Sequence, residues 1–534
     1  MPKLNKQFLL LALIIIIGSF LRFYKLDWGE GLFTHPDEYH IASSVRQLSF
    51  PSQMNPHFFN YGTVIIYLNF LTKEILQNFN LDPFLIGRFY SSLFSTLTIF
   101  VIYKISRFIL DKKWALVSAL LVAITPGLIQ QAHFSTPEST LTFFITSALL
   151  FLLHFIRDGR LNYLLLSSVF LGLGMGTKVV AILFLPLFIL GIIIKSLKKP
   201  SNLLLLVAAA TITTITIFAI SSPFVFLDFS SWRSSFNYEQ SLAMGKIPIF
   251  YTRQFINTYP ILFQLEKILP FTLGIPQSIF AVFGFIFIPF LLIRKFKPDL
   301  FIILLVFLIF FLTNALLFTK WTRFVTPTFP FFAIFTSLFL QEISKKARSL
   351  GLILTTVTAI LTIIWSWAFF SIYLNHDVRI EADKWLKSQL PKESVFLVEG
   401  GNIVDLPLTG SERISLDFYH LEDDPAVRQK IIETLARSDY FLIQSRRVFL
   451  NHQRLSTLYP KTARFYDALF SGQLGFEQIK QFHSYPRLSL GAFIWEFPDE
   501  QAEETWSVFD HPIIRIFQKK VKLTKEDYEK IIEQ

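Results

Sequence analysis

The stretch LLLALIIIIGSFLRFYKLDWGEGLFTHPDEYH occupies residues 9–40 and joins two different kinds of sequence. Its first half is an apolar run of the length that crosses a bilayer, about 17 to 25 residues. Its second half is a polar loop that contains the acidic pair Asp37 and Glu38. Because no small-residue cleavage site precedes Arg22, the run predicts a retained anchor and not a cleaved signal peptide. The stretch therefore indicates a membrane protein with acidic groups close to one membrane surface.

The composition of the whole chain agrees with a membrane protein. Of 534 residues, 52% are hydrophobic, 62 are Phe and only 17% are charged, a balance foreign to water-soluble domains of this size. Residues 1–372 carry 29 Lys and Arg against 14 Asp and Glu, whereas residues 373–534 carry 21 against 25. We expect a membrane domain over 1–372 and a soluble domain over 373–534. Positive charge in a membrane protein usually marks cytoplasmic loops, which explain the excess of Lys and Arg better than nucleic-acid binding does. The chain contains no Cys, so it has no disulfides.

Further apolar runs predict a mainly helical, polytopic bundle of about eleven spans. They lie near residues 7–24, 85–109, 114–132, 138–156, 161–175, 179–195, 203–222, 274–293, 299–318, 324–341 and 350–372. With a cytoplasmic N-terminus, every short basic loop lies inside, as the positive-inside rule requires. Those loops carry Lys112, Lys113, Arg157, Arg160, Lys195, Lys198, Lys199, Arg294, Lys295, Lys297, Lys345, Lys346 and Arg348. An odd number of spans makes the tail extracytoplasmic, so we expect a multi-pass protein of the cell membrane.

From residue 373 onward the pattern changes to alternating helices and strands. Helical spacing covers residues 380–390 and 425–438. Strand-like segments cover residues 395–399, 440–444, 478–484, 492–497 and 513–518. This mixture predicts a small extracytoplasmic α/β domain after the membrane bundle.

Acidic residues occur in two loops of the predicted outer face. Asp37 and Glu38 follow Pro36, and Glu138 follows Pro137. Each group taken alone could simply begin a helix, because Pro and acidic side chains both suit a first helical turn. Two such groups on one face, separated by an even number of spans, instead indicate a site that uses carboxylates.

Cationic residues on the same face complete a candidate site. They are Arg22, Arg88, Lys178, Lys320 and Arg323. Each could extend to a lipid headgroup on its own, but together they could hold a phosphate or pyrophosphate, with Arg giving bidentate contacts. His35, His57 and His133 share the face and are either hydrogen-bonding groups or ligands of a divalent cation. This interpretation does not require a metal ion, and the sequence does not identify a cofactor.

Several of these segments resemble the GT-C superfamily of integral-membrane glycosyltransferases. The chain has one long span, an acidic pair in the first outer loop and a second acidic residue in the next one. Within that superfamily it is similar to bacterial relatives of dolichyl-phosphate-mannose protein mannosyltransferases and to aminoarabinose transferases. The segments concerned are residues 21–24, 35–39, 172–178 and 320–330. Residues 508–512, with 514–519, look like a C-terminal signature of bacterial members.

The resemblance implies an inverting glycosyltransferase that moves a sugar from a polyprenyl-phosphate donor to an acceptor outside the cytoplasm. Asp37 matches the position of the acidic residue near the acceptor, where a base is needed. The other catalytic candidates are Glu38 and Glu138, although relatives often have Asp in place of Glu138. The leaving lipid phosphate needs cations, which assigns Lys178, Lys320 and Arg323 to it. The other substrate-binding candidates are Arg22, His35, Tyr61, Arg88 and His133.

Two other classes of function compete with this interpretation. A flippase or transporter for a polyprenyl-linked sugar would also be polytopic, but ion-coupled carriers usually place carboxylates in mid-membrane. None of the eleven predicted spans has an interior Asp or Glu. A structural or sensory membrane protein would explain the architecture but not the two acidic loops. The expected partners are a lipid-linked sugar, membrane lipid and a protein, lipid or glycan acceptor, and the sequence leaves sugar and acceptor open.

Overall fold

The computed structural model of the chain describes residues 6–196, 202–391, 393–400, 406 and 412–533. These residues form two compact units that each draw on several parts of the sequence. The first unit comprises Met1–Leu26, Asp37–Ile247 and Thr258–Phe370, and the second comprises Asp27–Pro36, Pro248–Asn257 and Ser371–Gln534. The basic residues Lys198 and Lys199 of the topology argument lie outside the described residues.

The first unit is helical. Its helices are α1 (Lys6–Phe23), α2 (Pro36–Gln47), α3 (Val64–Ile75), α4 (Pro83–Ser106), α5 (Lys112–Ala123), α6 (Pro126–Ala132), α7 (Glu138–Asp158), α8 (Leu161–Thr177), α9 (Leu185–Ser196), α10 (Leu203–Ser221), α11 (Phe224–Leu227), α12 (Phe229–Ala243), α13 (Leu269–Thr272), α14 (Ile275–Arg294), α15 (Pro298–Ala315), α16 (Thr322–Val325), α17 (Phe329–Lys346) and α18 (Arg348–Leu374), the last of which ends in the second unit. A 3₁₀ helix at Val179–Phe184 precedes α9, and a 3₁₀ turn at Thr326–Thr328 connects α16 to α17.

All eleven apolar runs of the sequence lie on these helices. Within the described ranges, nine helical segments are long and apolar enough to cross a membrane, or ten if the bent pair α5 and α6 forms one span. The remaining run is α8, an apolar helix of 17 residues. The multi-pass architecture is therefore confirmed, whereas the number eleven stays a prediction.

The bend between α5 and α6 arises from Pro126. The two helices meet at an angle of 52°, because Pro126 lacks the N–H that would bond the carbonyl of Val122. The guanidinium of Arg22 takes over that carbonyl at 2.9 Å and also donates to the carbonyl of Ala123 at 2.7 Å. A third bond joins Arg22 to the hydroxyl of Ser95 at 2.7 Å. Arg22 is thus fully buried and stabilises a broken helix inside the bundle.

The second unit is built on a mixed five-stranded sheet. Its strands are β1 (Val395–Glu399), β2 (Glu412–Leu416), β3 (Tyr440–Ile443), β4 (Phe476–Phe482) and β7 (Ile514–Lys519), in the order β2-β1-β3-β7-β4. β1 runs parallel to β2 and β3, while β7 runs antiparallel to β3 and β4. A separate two-stranded ribbon consists of β5 (Arg487–Leu490) and β6 (Phe493–Glu496). The helices are α19 (Val378–Gln389), α20 (Pro425–Arg437), α21 (Phe449–Arg454), α22 (Pro460–Phe470), α23 (Glu504–Val508) and α24 (Lys525–Glu533).

Alternating side chains of the sheet form two cores. Phe396, Val398 and Leu442 point to the face that α19 covers, together with Ile514 and Ile516. The neighbouring residues point to the opposite face, which α20, α22 and α24 cover; they include Leu397, Phe441, Ile443 and Phe517. This alternation is the period of two that a strand imposes. The predicted α/β fold of the tail is confirmed.

Candidate active site

The first acidic motif lies at the start of α2 and contacts two distant parts of the chain. Asp37 accepts a hydrogen bond of 2.6 Å from the hydroxyl of Tyr61 and forms an ion pair with Arg323 in α16. The guanidinium of Arg323 also donates to the Tyr61 hydroxyl at 3.2 Å. The side chains of Asp37 and Arg323 are 18% and 20% exposed. The three groups therefore form a polar cluster that is half-buried and open to solvent.

The second acidic motif lies beside this cluster. Glu138, at the start of α7, forms an ion pair with Lys178, in which the ammonium nitrogen lies 3.0 Å from a carboxylate oxygen. That ammonium lies 5.3 Å from the ring centre of Tyr61 and 5.1 Å from that of Phe324. The guanidinium carbon of Arg323 is 5.8 Å from the same Phe324 ring. Both cations thus lie close to one aromatic ring, and each forms an ion pair with a carboxylate.

Glycines allow the loop that carries Tyr61 to approach the end of α8, which carries Lys178. A Cβ on Gly62 would overlap the carbonyl of Gly176, and a Cβ on Gly176 would overlap the hydroxyl of Ser221. The amide of Gly62 donates to the carbonyl of Thr177 at 3.0 Å. The glycine-rich segment 172–178 is therefore a close-packing surface that brings Lys178 to Tyr61.

Glu239 of α12 belongs to the same group of charges and was not among the residues selected from the sequence. It accepts a hydrogen bond of 2.6 Å from Asn60. Burial raises the pKa of Glu239, with opposing effects from Arg323, which lowers it, and Asp37, which raises it. Burial also raises the pKa of Tyr61 well above its usual value, so its hydroxyl stays protonated and can donate. Because α12 lies between the predicted spans 203–222 and 274–293 and contains no motif of Pro followed by an acidic residue, no sequence pattern relates Glu239 to the acidic motifs.

Glu38, next to Asp37, points in another direction. Both of its oxygens bind Arg88 of α4, at 2.7 and 2.9 Å, and one also accepts from the backbone amide of Ser135 at 2.8 Å. The Glu38 and Arg88 side chains have no exposed surface. This buried bidentate pair connects α2, α4 and the turn before α7. The pair stabilises the packing beside the site and is not part of the cluster of Asp37, Tyr61 and Arg323.

Other residues selected from the sequence have partners elsewhere. The ammonium of Lys320 donates to the carbonyl of Phe318 at 2.8 Å and to the hydroxyl of Thr258 at 3.2 Å, and burial lowers its pKa. The ring nitrogens of His133 lie 2.9 and 3.2 Å from the carbonyl oxygens of Ile129 and Tyr24. Arg22 stabilises the broken helix described above.

The histidines also separate from one another. His35 lies in the second unit, where its ring packs 4.3 Å from that of Phe509, measured between centroids. His57 is exposed and its amide donates to the side chain of Asn55 at 3.1 Å. In the described part of the chain, no three His, Asp or Glu side chains form a group that could hold a metal ion.

The C-terminal segment 508–512 forms a buried network inside the second unit. His511 lies between Asp510 at 2.6 Å and Asp499 at 2.9 Å. Burial alone would lower the pKa of His511, but the two carboxylates outweigh it and raise the pKa to about 10. Asp510 also accepts a bond of 2.9 Å from Tyr373 of α18, and Arg379 donates to the carbonyls of residues 508 and 509. The segment thus joins the end of the last apolar helix to the sheet.

Comparisons with known proteins agree with this architecture. The family described as dolichyl-phosphate-mannose-protein mannosyltransferase matches residues 69–221. No curated protein sequence matches the chain. Among solved structures, the Archaeoglobus fulgidus oligosaccharyltransferase tethered to an acceptor peptide has a TM-score of 0.55 and 14% identity, over 86% of this chain and 72% of that one.

Two further structures give similar figures. The same archaeal enzyme, AglB, in complex with an inhibitory peptide and a dolichol-phosphate, has a TM-score of 0.55 and 13% identity, over 86% of this chain and 72% of that one. ArnT from Cupriavidus metallidurans in the apo state has a TM-score of 0.49 and 12% identity, over 84% of this chain and 94% of that one. The chain is thus similar in sequence to this mannosyltransferase family over residues 69–221 and shares the fold of the archaeal enzyme, in agreement with the resemblance to the GT-C superfamily of integral-membrane glycosyltransferases.

Proposed function

We propose that the protein is an inverting glycosyltransferase that moves a sugar from a polyprenyl-phosphate donor to an acceptor at the extracytoplasmic membrane surface. The observation that carries the proposal is the cluster of Asp37, Tyr61 and Arg323 beside the Glu138–Lys178 pair. It combines a carboxylate that could act as a base with two cations that could receive a phosphate. The archaeal structure with a bound dolichol-phosphate supports the same class of donor by analogy.

Arg323 and Lys178 are the proposed ligands of the donor phosphate. Both lie close to the ring of Phe324, and their side chains are 20% and 18% exposed, so a lipid headgroup could reach both. Arg offers a bidentate contact and Lys a point charge. Lys320, also assigned to the phosphate from the sequence, contacts Thr258 and Phe318 instead. We therefore assign Lys320 a structural role, in which it stabilises the conformation of its own loop.

Asp37 is the proposed base. In the absence of substrate, its carboxylate contacts the Tyr61 hydroxyl and the Arg323 guanidinium. When the donor phosphate draws Arg323 away, one carboxylate oxygen becomes available to the acceptor hydroxyl. The hydroxyl oxygen then bonds the anomeric carbon, the bond from that carbon to the phosphate oxygen breaks, and the proton passes to Asp37. The lipid phosphate leaves with the bonding electrons and is stabilised by Arg323 and Lys178.

Glu138 is proposed as a positioning residue for Lys178. One of its oxygens holds the ammonium, and the other is buried without a hydrogen-bond partner among the described residues. Such an orphaned oxygen is costly and could accept a bond from a bound sugar or acceptor hydroxyl. Glu38 and Arg88, which saturate each other, are proposed to be structural.

The location of the reaction follows from the charge of the loops. Basic residues fall in alternate loops, which favours a cytoplasmic N-terminus and places the site and the C-terminal domain outside.

The test of this function is product formation by the purified full chain. Vesicles containing the protein receive a labelled polyprenyl-phosphate sugar and a mixture of peptide, lipid and glycan acceptors, and the products are identified by mass spectrometry. We expect a new glycosidic bond, and Asp37→Asn should lower turnover by roughly a hundredfold or more. Asp158→Asn, the same change in a solvent-exposed carboxylate at the far end of α7, should not. Movement of intact donor across the bilayer without any transfer would instead favour the flippase.

A further inference from the structure

The β5–β6 ribbon stands apart from the five-stranded sheet of the second unit. Gly491 and Ala492 form its two-residue turn, and Gly491 has a φ of +60°, which suits the first position of a type II′ turn. A Cβ on Gly491 would have no atom within 4 Å, so the tip projects away from its surroundings. Since a two-stranded hairpin is only marginally stable in water, this ribbon needs another surface against its side chains.

One face of the ribbon is entirely apolar. Leu488 pairs with Trp495, and Leu490 pairs with Phe493. Residues that pair across two strands point to the same side, so these four side chains form one patch. Leu490, Phe493 and Trp495 are 78%, 83% and 72% exposed. The opposite face is mixed and carries Arg487, Ser489, Ile494 and Glu496.

The base of the ribbon is fixed at the end of the last apolar helix. The amide of Arg487 donates to the hydroxyl of Ser371 at 3.1 Å, and its guanidinium donates to the side chain of Asn375 at 2.5 Å. These contacts bracket Leu374, the last residue of the candidate span α18. A four-residue strand is about 13 Å long, so the whole patch lies within about that distance of the contacts that Arg487 makes at the end of α18.

We propose that the apolar face of the β5–β6 ribbon inserts into lipid at the membrane surface from which α18 emerges. Trp and Phe are enriched at membrane interfaces, and the apolar face of the ribbon carries one of each, Trp495 and Phe493. Insertion would cover the patch with lipid and fix the second unit at a constant height above the bilayer. This role is independent of the proposed transfer reaction.

The test uses single cysteines, because the chain contains none. A spin label is attached to Phe493→Cys in the full-length protein in phosphatidylcholine–phosphatidylglycerol vesicles. Its depth is read from collisions with oxygen and with a water-soluble nickel chelate. We expect the label about 5 to 10 Å below the lipid phosphates. Ser489→Cys on the mixed face should be shallower, and Glu526→Cys in α24, exposed on the second unit, should be in water.

Two results would overturn the proposal. In one, the Phe493→Cys label collides with the nickel chelate as often as the Glu526→Cys label does. In the other, the label is protected from both reagents and becomes accessible when the protein is diluted in lipid, which would indicate a second copy on the patch. Protection from the chelate, with high oxygen collision that is independent of dilution, supports lipid insertion.

Discussion

Arg323 and Asp37 are 286 positions apart in the sequence and form an ion pair in the fold. If Arg323 holds the donor phosphate, Arg323→Gln should weaken donor binding by roughly 1.5 to 3 kcal/mol, about tenfold to a hundredfold. The measurement is the affinity of the purified protein for the donor and for a polyprenol without phosphate. Arg294→Gln at an exposed helix end should change neither. An equal loss for both lipids would exclude a contact with phosphate.

Glu38 and Asp37 are neighbours in sequence with opposite expected phenotypes. Glu38→Gln leaves the guanidinium of Arg88 buried without its counter-charge, so the free energy of unfolding should fall by roughly 3 to 5 kcal/mol. Asp37→Asn changes a partly exposed group and should have little effect on stability while abolishing most turnover. Unfolding of both variants in detergent, followed by intrinsic fluorescence, compares them directly. A stable but inactive Glu38→Gln protein would mean that Glu38 takes part in the reaction.

For single residues, the sequence predicts which residue types form the site better than it predicts which residues pair with each other. Asp37, Glu138, Lys178 and Arg323 all lie in one cluster, as expected for polar groups that follow apolar runs on one face. The pairing of Arg88 with Glu38 depends on the rotation of α2 against α4, which periodicity alone does not determine. Glu239 lies on α12, between two predicted spans, and the sequence does not reveal how that helix packs.

At the scale of elements, apolar length predicts the helices and the period of two predicts most of the sheet. β1 begins and ends where the sequence predicts, at Val395 and Glu399. Two strands were missed, β2 and β5. β2 contains Glu412 and Arg413 and lies at the edge of the sheet, so its pattern is not that of a buried strand. β5 has two fully exposed residues and lacks the bounded apolar run that marks a strand in a core.

The glycine contact between the 60–63 loop and α8 is an element-scale feature that can be tested. Gly62→Ala places a methyl group on the backbone of Gly176, so the loop must move and carry Tyr61 away from Lys178. We expect turnover to fall by more than tenfold, since small misplacements of catalytic groups cost about a hundredfold. Gly174→Ala is the matched control, because its nearest neighbours are side chains of Ala181 and Phe144 at 3.3 and 3.7 Å. Equal turnover in the two variants would show that this close approach does not position the site.

For the whole molecule, the side of the membrane that holds the second unit depends on whether α8 crosses the bilayer. Nine spans or eleven place the two termini on opposite sides, whereas ten place them on the same side. If α5 and α6 form one span and α8 does not cross, the basic residues at 157–160 and 195–199 fall on opposite faces, against the positive-inside rule. We therefore expect α8 and the segment Val179–Ser196 both to cross.

Reporter fusions at three positions test this arrangement. Fusions after Arg160 and after Lys199 should both report the cytoplasm, because two spans between them return the chain to the same side. A fusion after Leu374 should report the outside. If the fusions after Arg160 and Lys199 report opposite sides, only one span separates them and α8 is an internal helix of the bundle. If all three report the cytoplasm, the second unit loses its extracytoplasmic placement, and the five predicted spans between Lys199 and Leu374 cannot all cross the bilayer.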